Sequence, residues 1–340
     1  MFEEKLISIH LNSNRPESFE NFVKSIISTS KIIKRIEILV NIDKGDKEMI
    51  QIITKLNKQN PDLIKYIETD LIKTFADAWK PLNILLKQTS KTCYFICCVS
   101  DEIRFLTKNW DDIILKYRKY YDDDIFRVRC SKYKNEEYND IWECGYKPDS
   151  YAFYTKKWLD QVNLWNPCIG PDSFQECIAY YIKKYGAEYN RDVINNKINY
   201  SGQNVSDNLK LSIRIQRTRI YYKAFFKLMS YRVQKIANEK AYDIICCISK
   251  NENIKKKRLN SIKIIMTNFC RRFNFFYHRG SPNHVIDSKL KNIIFMLWCY
   301  MEFLDKFLIK SLLFMSKKSF FQKVIKDKDK IQQIEKILNE

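Results

Sequence analysis

Glycine is scarce in this sequence, and the glycine-rich loops that bind phosphates in many nucleotide enzymes are absent. Only 6 of the 340 residues are glycine. No GxGxxG follows the first apolar segment, and no GxxxxGK[ST] occurs anywhere in the chain. These absences argue against a common dinucleotide-binding fold and against a P-loop ATPase.

The sequence also lacks metal-binding cysteine motifs, a signal peptide and long uncharged apolar segments. Its 11 cysteines form no CxxC pair and no Cys/His cluster, and the adjacent pairs at 97–98 and 246–247 lie in apolar segments. We therefore expect buried free thiols and a reducing, cytoplasmic compartment. Acidic residues precede the first apolar segment, unlike in a signal peptide. No uncharged apolar run of about 18 residues predicts a transmembrane helix.

The net charge of +20 belongs almost entirely to the C-terminal part of the chain. Residues 1–200 hold 31 basic and 29 acidic side chains, whereas residues 201–340 hold 29 basic and 11 acidic ones. Hydrophobic residues make up 45% of the chain, which indicates a globular protein. We predict two domains, an α/β domain at residues 1–205 and a basic all-α domain at residues 206–340.

Strand-like and helix-like segments alternate through the first hundred residues. Apolar strand-like segments occur at residues 6–11, 35–43, 63–69 and 92–99, and helical spacing occurs at residues 17–28, 47–59 and 74–88. This alternation is typical of βαβ units. It predicts an α/β fold with a mostly parallel sheet flanked by helices.

Polar side chains gather where the predicted strands end. Right-handed crossovers would bring the ends of the first, second and fourth strands to one edge of the sheet, where open α/β sheets bind their ligands. The residues at these three ends are His10, Asn12 and Arg15, then Asp43, then Asp101 and Glu102. The sequence therefore predicts a ligand site at this edge, although a polar strand end without function is the alternative.

In their order and spacing these segments resemble a GT-A nucleotide-sugar glycosyltransferase, and they are most similar to the large inverting family-2-type group. The resemblance rests on residues 12–17, on Asp43 and on residues 100–111, SDEIRFLTKNWD. It covers about residues 5–200. It implies a GT-A-like (Rossmann-like) fold and the metal-dependent, inverting transfer of a sugar from a nucleoside-diphosphate sugar to an acceptor hydroxyl.

The resemblance also implies roles for individual residues in binding the donor. Asp101 and Glu102 would hold Mn²⁺ or Mg²⁺, which neutralises the leaving diphosphate. Asp43 matches the residue that contacts the donor base, and Arg15 matches a position near the base and the diphosphate, with an ordinary helix-start arginine as the alternative. The further donor-binding candidates are His10, Asn12, Lys80, Asn83 and Asp101. A UDP-sugar is the favoured donor, and the acceptor would be a glycan, a lipid-linked molecule or a protein.

The resemblance places the general base at the start of a later helix. An inverting transfer needs a base that removes the proton of the acceptor hydroxyl. Asp172 and Glu176 lie one helical turn apart and are both candidates. Asp172 is also a good helix N-cap, which would be a structural role. Residues 200–204 hold no histidine where some relatives have a metal ligand.

The basic C-terminal region leaves several functions open. Basic residues interleaved with aromatic ones suit an anionic membrane surface, and they also suit nucleic acid. A core or interfacial amphipathic helix is predicted at residues 290–315. We expect a cytoplasmic protein that is peripheral at the membrane surface. The alternative is a nucleic-acid- or partner-binding protein with an inactive glycosyltransferase-like scaffold, which the neutrality of residues 1–200 disfavours for nucleic acid.

Overall fold

The fold is described by a computed structural model, which covers residues 4–72, 77–130, 144, 149–168, 170–202, 227–249, 254–260 and 262. The amphipathic helix predicted at residues 290–315 and most basic residues of the C-terminal region lie outside these ranges. The division into two domains at residue 205 stays a prediction.

The N-terminal half consists of parallel βαβ units, as the alternating pattern predicts. Its elements are β1 (Ile7–Asn12), α1 (Pro16–Thr29), β2 (Ile36–Asp43), α2 (Lys47–Gln59), β3 (Ile64–Thr69), α3 (Trp79–Gln88) and β4 (Phe95–Cys98). Pro16 stands at the first position of α1, where its missing N–H has no cost. Asp46 caps α2 by accepting a hydrogen bond from the Met49 amide at 3.0 Å.

Five strands of three residues and four helices follow among the described residues. They are β5 (Ile103–Phe105), α4 (Trp110–Leu115), β6 (Arg127–Arg129), β7 (Phe153–Thr155), α5 (Lys156–Val162), α6 (Pro171–Tyr185), β8 (Asp192–Ile194), β9 (Tyr200–Gly202) and α7 (Tyr231–Ser249). No helix within the described ranges has the length and apolar character needed to cross a bilayer.

The main sheet has seven strands in the order β3-β2-β1-β4-β7-β6-β8. Strands β3, β2, β1 and β4 are parallel, so the carboxyl ends of β2, β1 and β4 are neighbours at one edge. Strand β7 is antiparallel to β4 and β6. The segment at residues 92–99, which its apolar pattern predicts to be a strand inside a parallel sheet, therefore has a parallel neighbour on one side only. A separate antiparallel pair joins β5 to β9.

Two cores cover the two faces of the sheet. Successive residues of a strand point to opposite faces. On one face Ile7, Ile9 and Leu11 pack with apolar residues of α1 and α2. The opposite face packs against α3, α5, α6 and α7. Strand β4, with the sequence FICC, is apolar throughout because it is covered on both faces, whereas β1 carries the buried polar residues Ser8 and His10 between its apolar ones.

Candidate functional site

Asp101 lies just beyond the end of β4 and is fixed by hydrogen bonds from α1 and the loop before it. Its carboxylate accepts hydrogen bonds from the Ser13 hydroxyl at 2.6 Å and from the Arg15 guanidinium. Its backbone carbonyl accepts hydrogen bonds from the Ser18 hydroxyl at 2.9 Å and from Arg104 Nη1 at 2.7 Å. With 1% of its surface exposed, Asp101 is held in one position at the edge of the sheet.

Arg15 joins Asp101 to Glu102. Its Nε is 3.2 Å from one Asp101 oxygen, Nη2 contacts the other, and Nη1 is 2.6 Å from Glu102 Oε1. The side chains of Arg15 and Glu102 are 35% and 29% exposed. Burial alone would lower the pKa of Arg15, but the hydrogen bonds and charges of the two carboxylates raise it overall. Arg15 is therefore part of the cluster and not a solvated arginine at the start of a helix.

Asp43 and Asn12 end the two strands next to this cluster. Asp43 accepts a hydrogen bond from Asn14 Nδ2 at 3.3 Å. Asn12 Nδ2 donates to the carbonyl of Ala78 at 2.7 Å. The other amide atom, Asn12 Oδ1, is buried and has no hydrogen-bond partner among the described residues. A buried acceptor without a partner is unfavourable unless a ligand or water donates to it.

Asp172 approaches the same edge from the first turn of α6. The N-cap of this helix is Gly170, whose φ of 90° is in the region that suits glycine, so Asp172 is not the N-cap. Burial raises the pKa of Asp172, against the effect of hydrogen bonds from the Ser173 amide and the Ser150 hydroxyl. Asp172 is thus a carboxylate with reduced solvation and increased basicity.

The charge of Asp172 affects the ionisation of Tyr151 and Cys98, and Tyr151 is also affected by Glu102 of the cluster at Asp101. Burial raises the pKa of the Tyr151 phenol to about 12, and the nearby charges of Asp172 and Glu102 contribute to the rise. Burial and the charge of Asp172 also raise the pKa of the Cys98 thiol. Cys98 is the last residue of β4. The charges of Asp172 and Glu102 thus both act on Tyr151, and that of Asp172 also acts on Cys98.

Glu176 points away from this region, although it is one helical turn from Asp172. Its side chain is completely buried. One oxygen is 2.7 Å from Arg127 Nη2, and the other accepts a hydrogen bond from the Asp149 amide at 3.0 Å. Both oxygens are therefore occupied by structural partners. This geometry opposes the role of general base that the sequence analysis assigns to Glu176 as one of two candidates.

The network around Glu176 stabilises the second half of the sheet. Arg127 Nε is 2.7 Å from Asp192, and Lys183 is 3.3 Å from the same carboxylate. Burial opposes the ionised form of Asp192, but the charges and hydrogen bonds of Arg127 outweigh it and lower its pKa. Burial and the charge of Glu176 raise the pKa of Asp149 to about 6. These groups join β6, β8 and α6.

His10 is a core residue and not a residue of the site. Trp165 Nε1 donates to His10 Nδ1 at 3.0 Å, and His10 Nε2 is 3.0 Å from Ser8 Oγ and 3.1 Å from Thr89 Oγ1. Burial lowers the pKa of His10 to about 3, so the ring is neutral near pH 7. With both ring nitrogens occupied and no surface exposed, His10 has no atom left for a ligand. The expectation that His10 binds the donor conflicts with this geometry.

Asn83 and Lys80 are likewise engaged elsewhere. Asn83 Nδ2 donates to the Asn166 carbonyl at 2.9 Å, and its Oδ1 accepts from the Trp165 amide at 2.7 Å. Asn83 thus fixes the loop before α6, which argues against its expected contact with the donor. Lys80 is exposed and forms an ion pair of 2.7 Å with Asp77. No contact in the described structure links Lys80 to the cluster at Asp101.

Sequence reasoning missed several residues that shape the site. Ser13, Ser18 and Arg104 hold Asp101, and Tyr151 lies close to Asp172 and Glu102. Ser13 belongs to residues 12–17, on which the resemblance partly rests, so a role for its hydroxyl could have been predicted from the sequence. No signal in the sequence marks Tyr151, because its position depends on the antiparallel pairing of β7.

Asp101 and Glu102 have the right chemistry for a hard divalent cation. Mg²⁺ and Mn²⁺ prefer oxygen ligands, and Mg²⁺ sites often combine one or two carboxylates with water and substrate phosphates. The described residues contain no group of three or more His, Cys, Asp or Glu side chains that could hold a metal by themselves. The two carboxylates therefore fit a cation shared with a phosphate ligand, provided that Arg15 releases them.

Comparisons with known proteins give structural matches only. No protein-family model matches the chain, and no curated protein matches it. The mannosyltransferase PcManGT from Pyrobaculum calidifontis, solved with GDP-Man and Mn²⁺, is similar with a TM-score of 0.50 and 11% identity over 89% of this chain and 88% of that chain. TarS from S. aureus matches with a TM-score of 0.48 and 13% identity over 82% of this chain and 46% of that chain. The match to the mannosyltransferase shows that this chain has a GT-A-like glycosyltransferase fold.

Proposed function

We propose that this protein is a glycosyltransferase that transfers a sugar from a nucleoside-diphosphate sugar to an acceptor hydroxyl, with inversion at the sugar carbon. The observation that carries the proposal is the cluster of Asp101, Glu102 and Arg15 just beyond β4, with Asn12 and Asp43 at the carboxyl ends of the parallel strands β1 and β2. The GT-A-like fold supports it. The inverting family-2-type group and a UDP-sugar donor are parts of the same proposal.

The donor would lie across the ends of β1, β2 and β4. Asp43 and the unpartnered Asn12 Oδ1 are acceptors suited to N–H and hydroxyl groups of a nucleoside. Asp101 and Glu102 would hold Mn²⁺ or Mg²⁺, which supplies positive charge for the departing diphosphate. Arg15 is placed to add a second positive charge, because guanidinium groups bind phosphate oxygens with two parallel hydrogen bonds.

Asp172 is the general base of this proposal, and Glu176 is not. Burial raises the pKa of Asp172, and a carboxylate with a raised pKa is a better proton acceptor near neutral pH. We propose that it lies beside the donor diphosphate, since its charge and that of Glu102 both contribute to the raised pKa of Tyr151. The acceptor, which we propose to be a glycan, a lipid-linked molecule or a protein, would present its hydroxyl between Asp172 and the donor sugar.

The location of the protein is a further part of the proposal. We propose that it acts in the cytoplasm, peripherally at an anionic membrane surface. Four consecutive basic residues, 255–258, are all exposed in the segment beside α7. Each lysine or arginine near an anionic bilayer contributes roughly 1 kcal/mol to binding. Flotation with anionic liposomes tests this part, and equal flotation on neutral liposomes would contradict it.

The test of the function is the binding of a panel of UDP-, GDP- and CMP-sugars with Mn²⁺, measured by isothermal titration calorimetry. We expect saturable binding of one nucleoside-diphosphate sugar and a loss of at least about tenfold in affinity in Asp101→Asn, because the metal and the diphosphate lose a ligand. Asp160→Asn is the control, since Asp160 is exposed and, among the described residues, its ion pair is with Lys156. The absence of any donor binding, or unchanged binding in Asp101→Asn, would contradict the proposal.

A further inference from the structure

We propose that Arg15 competes with the divalent cation for Asp101 and Glu102, so that these carboxylates take up a metal ion only when the donor diphosphate draws Arg15 away. This inference rests on the proposed function for the identity of the donor. Its first part, the competition between Arg15 and the cation, concerns the free protein alone.

The contacts of Arg15 are the first argument that it competes with a cation. All three nitrogens of its guanidinium group bind the two carboxylates that a metal ion would need. Asp101 Oδ1 is bound by Arg15, and Asp101 Oδ2 is bound by both Arg15 and Ser13. A metal ligand must offer a free lone pair in the direction of the ion. The guanidinium group therefore occupies the directions from which a cation would approach Asp101.

Charge gives the second step. Arg15 and Arg104 together balance the charges of the two carboxylates, whereas without Arg15 the group would present a net charge of about −1 to the ion. A divalent cation at the carboxylates with Arg15 in place would also lie within a few ångströms of a positive charge, and like charges at such a distance repel strongly in a partly buried site. The ion can bind tightly only if Arg15 leaves.

The supports of Asp101 show that Arg15 can leave without disturbing the carboxylate. The Ser13 hydroxyl holds the side chain of Asp101, and Ser18 and Arg104 hold its backbone carbonyl. Asp101 is 1% exposed, whereas the Arg15 side chain is 35% exposed. The fixed partner is thus the acid, and the partner with room to move is the arginine.

The diphosphate of the donor would provide alternative hydrogen-bond acceptors for Arg15. Diphosphate oxygens are bidentate partners for a guanidinium group, as carboxylates are. A diphosphate that binds beside Asp101 and Glu102 would therefore remove Arg15 from the carboxylates and bring its own oxygens to the metal ion. Binding of the cation and of the donor would then increase each other's affinity, and this coupling is reciprocal.

The experiment measures Mn²⁺ binding to the full chain without nucleotide, by the loss of the free Mn²⁺ signal in electron paramagnetic resonance. We expect weak binding by the wild type and an affinity at least about tenfold higher in Arg15→Gln. Arg15→Lys, which keeps the charge but loses the planar fork, should lie between the two. Asp101→Asn in the Arg15→Gln background should abolish the gain, which would assign the bound ion to Asp101.

Arg104→Gln is the matched control. It removes one positive charge beside Asp101. Among the described contacts Arg104 donates to the backbone carbonyls of Asp101 and Ile103 and to neither carboxylate, and without it Asp101 keeps the hydrogen bonds from the hydroxyls of Ser13 and Ser18. We expect its Mn²⁺ affinity to rise by less than about threefold. Similar gains in Arg104→Gln and Arg15→Gln would overturn the proposal, because general electrostatics would then suffice. Unchanged or weaker Mn²⁺ binding in Arg15→Gln would overturn it as well.

A second series with UDP and GDP separates this proposal from the proposed function. We expect nucleotide to raise the Mn²⁺ affinity of the wild type by a larger factor than that of Arg15→Gln, since only the wild type gains by the movement of Arg15. If nucleotide raised the Mn²⁺ affinity of both proteins by the same factor, the proposed coupling of donor and cation binding through Arg15 would be overturned. A protein that binds neither nucleotide in any variant would contradict the proposed function, while the series with Mn²⁺ alone would still test the competition.

Discussion

Two clusters of arginine and carboxylate in this molecule have nearly the same geometry and opposite surroundings. Arg15 is 2.6 Å from Glu102 at the edge of the sheet, and Arg127 is 2.7 Å from Glu176 in the core. The first pair is 35% and 29% exposed, and the second is completely buried. Contact distance alone would assign both clusters the same role, so burial is what distinguishes them.

Burial decides whether the partners can be exchanged. At the edge, water or a ligand can reach Arg15 and Glu102, and the buried Asp101 keeps the hydrogen bond from the Ser13 hydroxyl when Arg15 leaves. In the core, Glu176 would be left without an ion-pair partner in a low-dielectric environment if Arg127 moved, and Asp192 would lose its shortest ion pair and keep Lys183. The open cluster, which consists of Arg15, Asp101 and Glu102, is therefore suited to binding a ligand. The sealed cluster, which consists of Arg127, Glu176 and Asp192, is suited to holding β6, β8 and α6 in one arrangement. The following predictions test this division.

The largest expected effect is on the turnover rate, and it distinguishes Asp172 from Glu176, the two acids of α6. Asp172→Asn should lower the turnover rate by a factor on the order of 10² to 10⁴, because a general base is lost. Glu176→Gln should leave the rate of the folded protein within about threefold and should instead lower its stability. The measurement is the initial rate of sugar transfer or donor hydrolysis, normalised to the folded fraction. A normal rate in Asp172→Asn with a large loss in Glu176→Gln would reverse the assignment.

The second prediction concerns the stability of the sealed cluster. Arg127→Met should lower the free energy of unfolding by roughly 3–5 kcal/mol, because Glu176 loses its ion-pair partner and Asp192 its closest one inside the core. Arg15→Met should lower it by less, roughly 1–2 kcal/mol, because Glu102 can be hydrated and the buried Asp101 keeps the hydrogen bond from Ser13. Urea denaturation followed by circular dichroism measures both variants. Equal losses would show that the clusters do not differ as their burial indicates.

The third prediction uses the titration of Asp149. Its pKa in the folded chain is about 6, above the ordinary value of 3.8. A raised pKa gives a stabilising contribution that is present below pH 3.8 and lost as the pH rises through about 6. The wild type should therefore lose on the order of 2 kcal/mol of stability relative to Asp149→Asn between pH 4 and pH 7. Denaturation at both pH values measures this difference, and a constant difference would contradict the prediction.

The smallest effect is expected for an ion pair on the surface. Lys55 is 58% exposed and lies 2.9 Å from Glu20. Lys55→Ala should change the free energy of unfolding by less than about 1 kcal/mol, and the change should shrink in high salt. Denaturation at two salt concentrations measures it. A loss comparable to that of Arg127→Met would mean that proximity and not burial determines the contribution of an ion pair.

The first half of the fold follows closely from the sequence. Helix α2 has the predicted bounds, 47–59, and β2 begins one residue after the predicted start. These elements are long, and their spacing of apolar residues is strict because they cover a sheet that is buried on both faces. Strands β3, β2, β1 and β4 are parallel, as the predicted βαβ units require, and this brings Asp43 and Asp101 to one edge.

The second half could not be predicted in the same way. Strands β6, β7 and β8 have three residues each, which is too short for a period to be recognised. Their pairing depends on contacts between residues far apart in the chain, such as the bond between Arg127 and Asp192. The helical pattern of α6 places Asp172 and Glu176 on one side but does not tell which of them reaches the edge.

His10 illustrates, for a single residue, that contacts between distant parts of the chain are not predicted from the sequence. Its place near the end of β1 suggests a ligand contact, but its partner Trp165 lies 155 residues later in the sequence. Only the packing of the loop before α6 against the sheet brings the two rings together. Position along a strand therefore predicts well that residues beyond the strand end, such as Asp101, reach the edge of the sheet, and it predicts poorly what residues within the strand contact.

The most direct test is a crystal structure of the full chain with UDP or GDP and Mn²⁺. The account predicts the diphosphate beside the ends of β1 and β4, with Mn²⁺ on Asp101 and Glu102 and with Arg15 turned from these carboxylates to the phosphate oxygens. The arrangement of Arg127, Glu176 and Asp192 should be unchanged. A nucleotide bound elsewhere, or bound at this edge with Arg15 still on both carboxylates beside the metal ion, would contradict it.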